Sequence, residues 1–220
     1  MSAGFSVHPA VFAPAEISTL ATSLESTVLE RTRAGARHLM GIAAVRRLAE
    51  DPRLLAIARN FLGSEACPFR ATLFDKSPDA NWLVAWHQDT ALPIEARVDV
   101  AGWGSWSEKQ GILYAHAPAI VLERVVALRV HLDHSTEDNG PLRVIPGSHL
   151  DGVLTDAEVG VRAARASSVT CLVSRGGVVA MRPLVIHASS KAKAPLARRV
   201  LHIEYADSLE LGAGVRLRAA

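Results

Sequence analysis

From about Pro68 onward the chain is a succession of short apolar or alternating runs: "FRATLF", "NWLVAWHQD", "RVVALRVHLD", "PLRVIPG", "VTCLV", "GGVVAMRPLVIH" and "RRVLHIEY". Proline, glycine, asparagine and aspartate break them apart. With no long helical stretch between most of these runs, they do not alternate as βαβ units but specify an antiparallel sandwich or barrel. The first 65 or so residues read differently. Ile17, Leu20, Leu24 and Leu29 recur at near-helical spacing between Pro14 and Glu30, and Asp51-Pro52 makes an N-cap and N1 pair for a short helix through Leu62, closed by Gly63. The expected architecture is mainly β with flanking α-helices: a core over about 66–207 and a helical cap over about 1–65, in one domain of 1–220.

Two runs show which face is which. In "ALRVHLD" Leu128, Val130 and Leu132 alternate with Arg129, His131 and Asp133; in "RRVLHIEY" Leu201, Ile203 and Tyr205 alternate with Arg198, Val200, His202 and Glu204. The apolar face of each strand needs a cover, and the N-terminal helices are the available one. The polar faces then line the interior, where a site belongs.

Composition narrows what that site serves. A chain of 220 residues, 49% of them hydrophobic, buries a substantial core. Its 24 basic and 22 acidic residues are dispersed apart from a loose cluster at 191–199, which excludes a phosphate-tracking surface and nucleic acid as the main partner. No apolar run approaches a membrane span and "MSAGFSVHPAVF" is not a signal peptide, so a cytoplasmic protein without membrane attachment is expected. Cys67 and Cys171 are too few for a disulfide framework and read as buried thiols.

"NWLVAWHQDTALP" ends a strand-like run with His87 and Asp89, two residues apart and therefore on one face, a chelating arrangement. A second pair, His131 and Asp133, has the same spacing. Spacing alone does not choose between them, and either also suits an ordinary polar strand end.

The order of the later segments separates them. After "WHQD" come "STEDNGPLRVIPGSH" (135–149), "GGVVAMRPLVIHASS" (176–190) and "PLARRVLHIEY" (195–205). From about Arg70 to Tyr205 this succession resembles the phytanoyl-CoA dioxygenase family of iron(II)- and 2-oxoglutarate-dependent oxygenases. The resemblance implies a double-stranded β-helix (jelly-roll, cupin-like) barrel. It also implies that His87 and Asp89 are the HxD ligands, that His187 is the distal histidine, and that Arg198, eleven residues later, holds 2-oxoglutarate. His131 and Asp133 fall where the family places no ligands.

Such a triad occupies one face of an octahedral Fe(II) and leaves three positions, two for the 2-oxo acid and one for O2. The resemblance makes hydroxylation the expected outcome, because Asp89 stands where related halogenases carry a small residue. The distal carboxylate of 2-oxoglutarate needs a fixed cation. Arg198 shares the polar face of His202 and Glu204, while Arg199 points the other way. Ser189 matches the family's H-x-S pattern and is either a further donor or a plain turn residue. Asn139-Gly140-Pro141 and Pro146-Gly147 are turn signals, and His149 reads as structural.

Other positions stay open. Arg129 stands where the family often has an aromatic residue; with His131 it points into the cavity to meet an anionic group, or else it pairs with Asp133 or Glu204. Lys76 has the same ambiguity. Residues 90–119 are long for a connection and suggest a lid, with Trp103 and Trp106 folding over substrate or anchoring the segment. A small-molecule substrate and a monomer or weak homo-oligomer are expected. The competing classes are a cupin-like metal enzyme without 2-oxoglutarate and a non-catalytic binding protein.

Overall fold

The computed structural model describes residues 2–77 and 80–220. Its N-terminal part begins with strand β1 (Phe5–His8) and helix α1 (Pro14–Glu25). Pro14 presets the first turn of α1, the Glu16 carboxylate accepts the Ala13 N–H at 2.8 Å, and Ile17, Leu20, Ala21 and Leu24 form its buried stripe. The helix stops short of the expected Glu30. The Ser26 and Thr27 hydroxyls donate back to the Ser23 carbonyl, a local alternative to continuing the helix.

A hairpin of β2 (Arg31–Thr32) and β3 (Gly35–Ala36) follows, then α2 (Ala43–Ala49) and α3 (Pro52–Leu62). Asp51 caps α3 by accepting the Arg53 N–H at 2.9 Å, and Gly63 ends it at φ 88°, both as the sequence indicates. The flank is not helical throughout, however. β1 and the β2–β3 hairpin close the two edges of the main sheet, satisfying backbone groups that an edge otherwise exposes.

The remaining elements are β4 (Cys67–Lys76), β5 (Val84–His87), β6 (Ala91–Pro93), β7 (Gly104–Lys109), β8 (Ile112–His116), α4 (Ala119–Leu122), β9 (Val125–His131) and β10 (Leu142–Val144). After these come α5 (Asp156–Arg165), β11 (Val169–Cys171), β12 (Val178–Met181), β13 (His187–Ser189), β14 (Arg198–Ala206), β15 (Glu210–Gly212) and β16 (Val215–Arg216). Seven strands form one sheet in the order β1-β12-β9-β14-β4-β3-β2, and four form a second in the order β11-β10-β13-β5. The sheets pack as a jelly roll without closing into a continuous barrel. Ala127, Val179 and Met181 of the large sheet meet Leu142, Val144 and Cys171 of the small one.

The face assignment holds. Leu128, Val130, Leu132, Leu201, Ile203 and Tyr205 bury against α1, α2 and α3, and the Tyr205 hydroxyl donates to the Ala49 carbonyl at 2.8 Å. Arg198, His202 and Glu204 are buried on the opposite face of β14.

Residues 90–119 are not an irregular lid. They carry the three-stranded sheet β6-β8-β7, in which the β7–β8 turn at Gln110 (φ 50°) and Gly111 (φ 74°) takes the positive φ values that a tight hairpin requires. Cys171 is buried and Cys67 half-buried. Among the described residues, no helix is long and apolar enough to cross a membrane.

Candidate metal centre

His87 closes β5 and His187 opens β13, and the two are register partners in an antiparallel pair. Chain pairing therefore brings their rings together, with centroids 4.1 Å apart. Asp89 lies just past the end of β5, where its N–H donates to the Pro183 carbonyl at 3.0 Å. Its two oxygens stand 3.7 Å from His87 Nε2 and 3.5 Å from His187 Nε2. One donor atom from each of the three lies within 4.8 Å of the others, and no other such group of three or more His, Cys, Asp or Glu occurs among the described residues.

The rings are held for ligation. Each Nδ1–H donates at 2.9 Å to the carbonyl two residues back, Ala85 for His87 and Val185 for His187, which leaves both Nε2 lone pairs turned toward Asp89. Gln88, between His87 and Asp89, ties the segment to two other loops. Its Nε2 donates to the Gly152 and Leu184 carbonyls, and its Oε1 accepts the Leu154 N–H. Burial would raise the Asp89 carboxyl, but the His187 and His87 imidazoles beside it hold it well below the usual carboxylate range. Burial pushes His187 down to about 4, so at neutral pH its lone pair is free. Two imidazoles and a carboxylate aimed at one point fit a divalent metal that keeps open positions.

A β-bulge helps to build this wall. His187 pairs with His87 but Ser189 pairs with Val84, so β5 carries one extra residue and both Val84 and His87 reach the same cavity. The second HxD pair does not converge. Asp133 accepts from Arg199 Nε and Nη2, both at 2.9 Å, and from the Arg199 backbone N–H. His131 is fully buried, both ring nitrogens lack a partner, and it does not reach the cavity wall as expected. Burial pushes it down to about 3, so it is neutral.

Beside the triad, the cavity wall is cationic. Arg198 and Lys76 are register partners on β14 and β4. Lys76 Nζ donates to the Ser190 carbonyl at 2.6 Å and to Ser189 Oγ at 3.4 Å. Arg198 Nε donates to the Asn139 carbonyl at 3.3 Å, and its Nη1 has no partner. Among the described residues, neither cation contacts a carboxylate. Burial and the neighbouring Arg129 push Arg198 down to about 9; burial, Arg198 and Arg129 push Lys76 down to about 8. Arg199, on the opposite face, is spent on Asp133 and Glu25.

Arg129 also lines the cavity, 5.2 Å from the Phe74 ring centroid, with Nη1 donating to His202 Nδ1 at 3.1 Å. Neither ion pair considered for it forms, because Arg199 takes Asp133 and Arg70 takes Glu204. Trp103 and Trp106 pack with Leu92, Leu122 and Leu211 away from the cavity. The tryptophan that does line it is Trp82, with Lys76 Nζ 5.5 Å from its ring. The "NG" turn does more than shape the fold. Gly140, at φ 70°, leaves space for Lys76 Nζ, which a Cβ there would meet at 2.9 Å.

Comparison with known proteins agrees with this arrangement. L-proline trans-4-hydroxylase of Streptomyces griseoviridis is 27% identical over 185 residues, covering 72% of this chain and 61% of the relative, so the chain spans less than two thirds of that protein's length. The crystal structure of AviO1 from Streptomyces viridochromogenes Tue57 superposes with a TM-score of 0.65 at 25% identity, covering 93% of this chain and 90% of that one. HygX from Streptomyces hygroscopicus, solved with nickel, 2-oxoglutarate and hygromycin B bound, shares the fold with a TM-score of 0.67 at 18% identity, over 93% and 83% of the two chains. The phytanoyl-CoA dioxygenase (PhyH) family model matches residues 2–200, and the chain belongs to that family.

Proposed function

We propose that the protein is an Fe(II)- and 2-oxoglutarate-dependent oxygenase that hydroxylates a small-molecule metabolite, releasing succinate and CO2. One observation carries this reading: three donor atoms converge beside a cavity lined by the buried cation Arg198, whose register partner is the buried Lys76, and neither has a carboxylate partner among the described residues. A desolvated cation without a counter-charge is costly unless an anion arrives to meet it.

His87 and His187 hold the metal through Nε2, and Asp89 through a carboxylate oxygen. When bound, Fe(II) supplies the activation of O2 that is coupled to decarboxylation of the 2-oxo acid. The protein's own part is positional. The Nδ1–H bonds to Ala85 and Val185 fix the imidazoles, and Gln88 fixes the turn that carries Asp89. Arg198, Lys76 and Ser189 hold the distal carboxylate, with Phe74, Trp82 and Leu142 excluding water around the stem. Asp89 fills a coordination position that a halide would otherwise enter, which favours hydroxylation. The family, the proline hydroxylase relative and the HygX complex support both the cofactors and a small-molecule substrate.

The test is anaerobic titration of the purified protein with Fe(II) and 2-oxoglutarate. One iron per chain and the weak visible charge-transfer band of the chelate are expected, lost in His87→Ala and His187→Ala. A band surviving both substitutions would reject the triad, and iron binding that never responds to 2-oxoglutarate would favour a cupin-like enzyme. A metabolite screen for succinate release and a product heavier by one oxygen then identifies the substrate.

A further inference from the structure

The cavity carries more positive charge than one carboxylate requires. Arg198 and Lys76 share one end with Ser189. Arg129 is placed differently: it pairs in register with His202, four residues along β14 from Arg198, so the two backbones lie roughly 13 Å apart. Its guanidinium leans back over Phe74, the second residue before Lys76 on β4. The charges of Asp89 and Arg129 act on each other, and the Arg129 charge also reaches His187 and Arg198. Arg129, His87, Asp89, His187 and Arg198 thus line one cavity.

It is also unspent. Arg129 is 7% exposed, its Nε has no partner, and its one hydrogen bond goes to a neutral acceptor. A guanidinium only donates, so His202 Nδ1 accepts and the ring proton sits on Nε2, 3.8 Å from Glu204 Oε1. Glu204 in turn is held by Arg70. His202 and Glu204 therefore brace Arg129 without neutralising it.

The lined space is about 90 Å³, far below a pocket for a drug-sized ligand, so the two arginines that line it face one small molecule. Resting on the co-substrate reading above, we propose that Arg129 and Arg198 clamp the same 2-oxo acid, Arg198 at the distal carboxylate and Arg129 at the carboxylate beside the keto group. A dianion with one charge near each arginine matches two buried cations that form no salt bridge among the described residues. The clamp makes Arg198 the selector for a dicarboxylate, whereas Arg129 serves any 2-oxo acid.

The experiment measures the dissociation constants of 2-oxoglutarate and of 2-oxobutyrate, which lacks the distal carboxylate, for the Fe(II)-loaded protein by anaerobic calorimetry. Arg198→Met is expected to weaken 2-oxoglutarate roughly ten- to a hundredfold and to leave 2-oxobutyrate unchanged. Arg129→Met should weaken both by a similar factor, and Arg129→Lys should restore part of each. If Arg129→Met leaves both affinities intact, Arg129 does not touch the 2-oxo acid and the clamp is overturned. Should Arg129→Met also lose iron, Arg129→Lys decides: recovery of both oxo acids supports the clamp and no recovery rejects it. A wild-type protein that binds Fe(II) but neither oxo acid would overturn the co-substrate reading itself, and the clamp with it.

Discussion

Replacing Arg198 and Arg199 in turn should give opposite phenotypes although the two are adjacent in sequence. Arg198 is 4% exposed and has no carboxylate partner among the described residues. Burial holds its guanidinium down to about 9, equivalent to roughly 5 kcal/mol of disfavoured charge in the ligand-free fold. Arg198→Met keeps most of the volume and removes that charge, so the apo protein should be as stable as wild type or more stable by about 1–3 kcal/mol. Its 2-oxoglutarate affinity should fall by about 1.5–3 kcal/mol, the worth of a charge-assisted contact. Arg199 is bound twice by Asp133 at 2.9 Å and once by Glu25, at 24% side-chain exposure. Arg199→Met should cost about 1 kcal/mol of stability and leave 2-oxoglutarate binding unchanged. Urea denaturation of the metal-free variants and anaerobic titration of the loaded ones read the two quantities separately. Equal losses of 2-oxoglutarate affinity, or an Arg198→Met protein destabilised as much as Arg199→Met, would refute the face assignment and the charge argument together.

Three further outcomes follow from the same geometry. Asp89→Ala should lose iron and hydroxylation, whereas Asp133→Ala should keep iron near one per chain and lose about 1 kcal/mol by freeing Arg199; iron analysis and denaturation of both variants distinguish them. Gln88→Ala removes no ligand but leaves three backbone groups unpaired, so about 2–3 kcal/mol of stability and ten- to a hundredfold in iron affinity should go, measured by denaturation and competitive chelation. Lys76, faced by Arg198 and Arg129, has a folded pKa pushed down to about 8, below that of the unfolded chain. Its proton is therefore released on folding above that pH, and apo stability should rise as pH increases from about 8 toward the ordinary lysine range. Affinity for 2-oxoglutarate should fall over the same interval, and Lys76→Met should move the onset of both changes up from about 8 toward the Arg198 value of about 9.

What can be read along the chain is what local periodicity encodes. The alternation Leu201-Ile203-Tyr205 against Arg198-His202-Glu204 assigns the two faces of β14, because successive side chains on a strand must leave opposite sides. For the same reason Arg198 and Arg199 separate into a cavity cation and a cap-facing one. Asp51-Pro52 and Gly63 bound α3 through backbone preferences that act within a few residues. The family's order of motifs singles out His87, Asp89 and His187 as the triad, where spacing alone does not.

Pairing between distant segments decides the rest. His87-Asp89 and His131-Asp133 are identical as local patterns; they differ because β13, a hundred residues on, sets His187 against His87, while Arg199 captures Asp133. The bulge in β5 that turns both Val84 and His87 inward has no local signature. Lys76 comes to stand beside Arg198 and Ser189, with Trp82 over it on the wall, only because β4 pairs with β14 and the "NG" turn folds back on the lysine. The stretch 90–119 looks like a loop because it is a long connection punctuated by glycine, serine and proline, yet it forms a sheet once Trp103 and Trp106 find the second core. A residue's type and its spacing from near neighbours set its face and its local conformation. Which group stands 3 Å from it, and so whether its charge is spent or free, is set by register and packing between strands far apart in the chain.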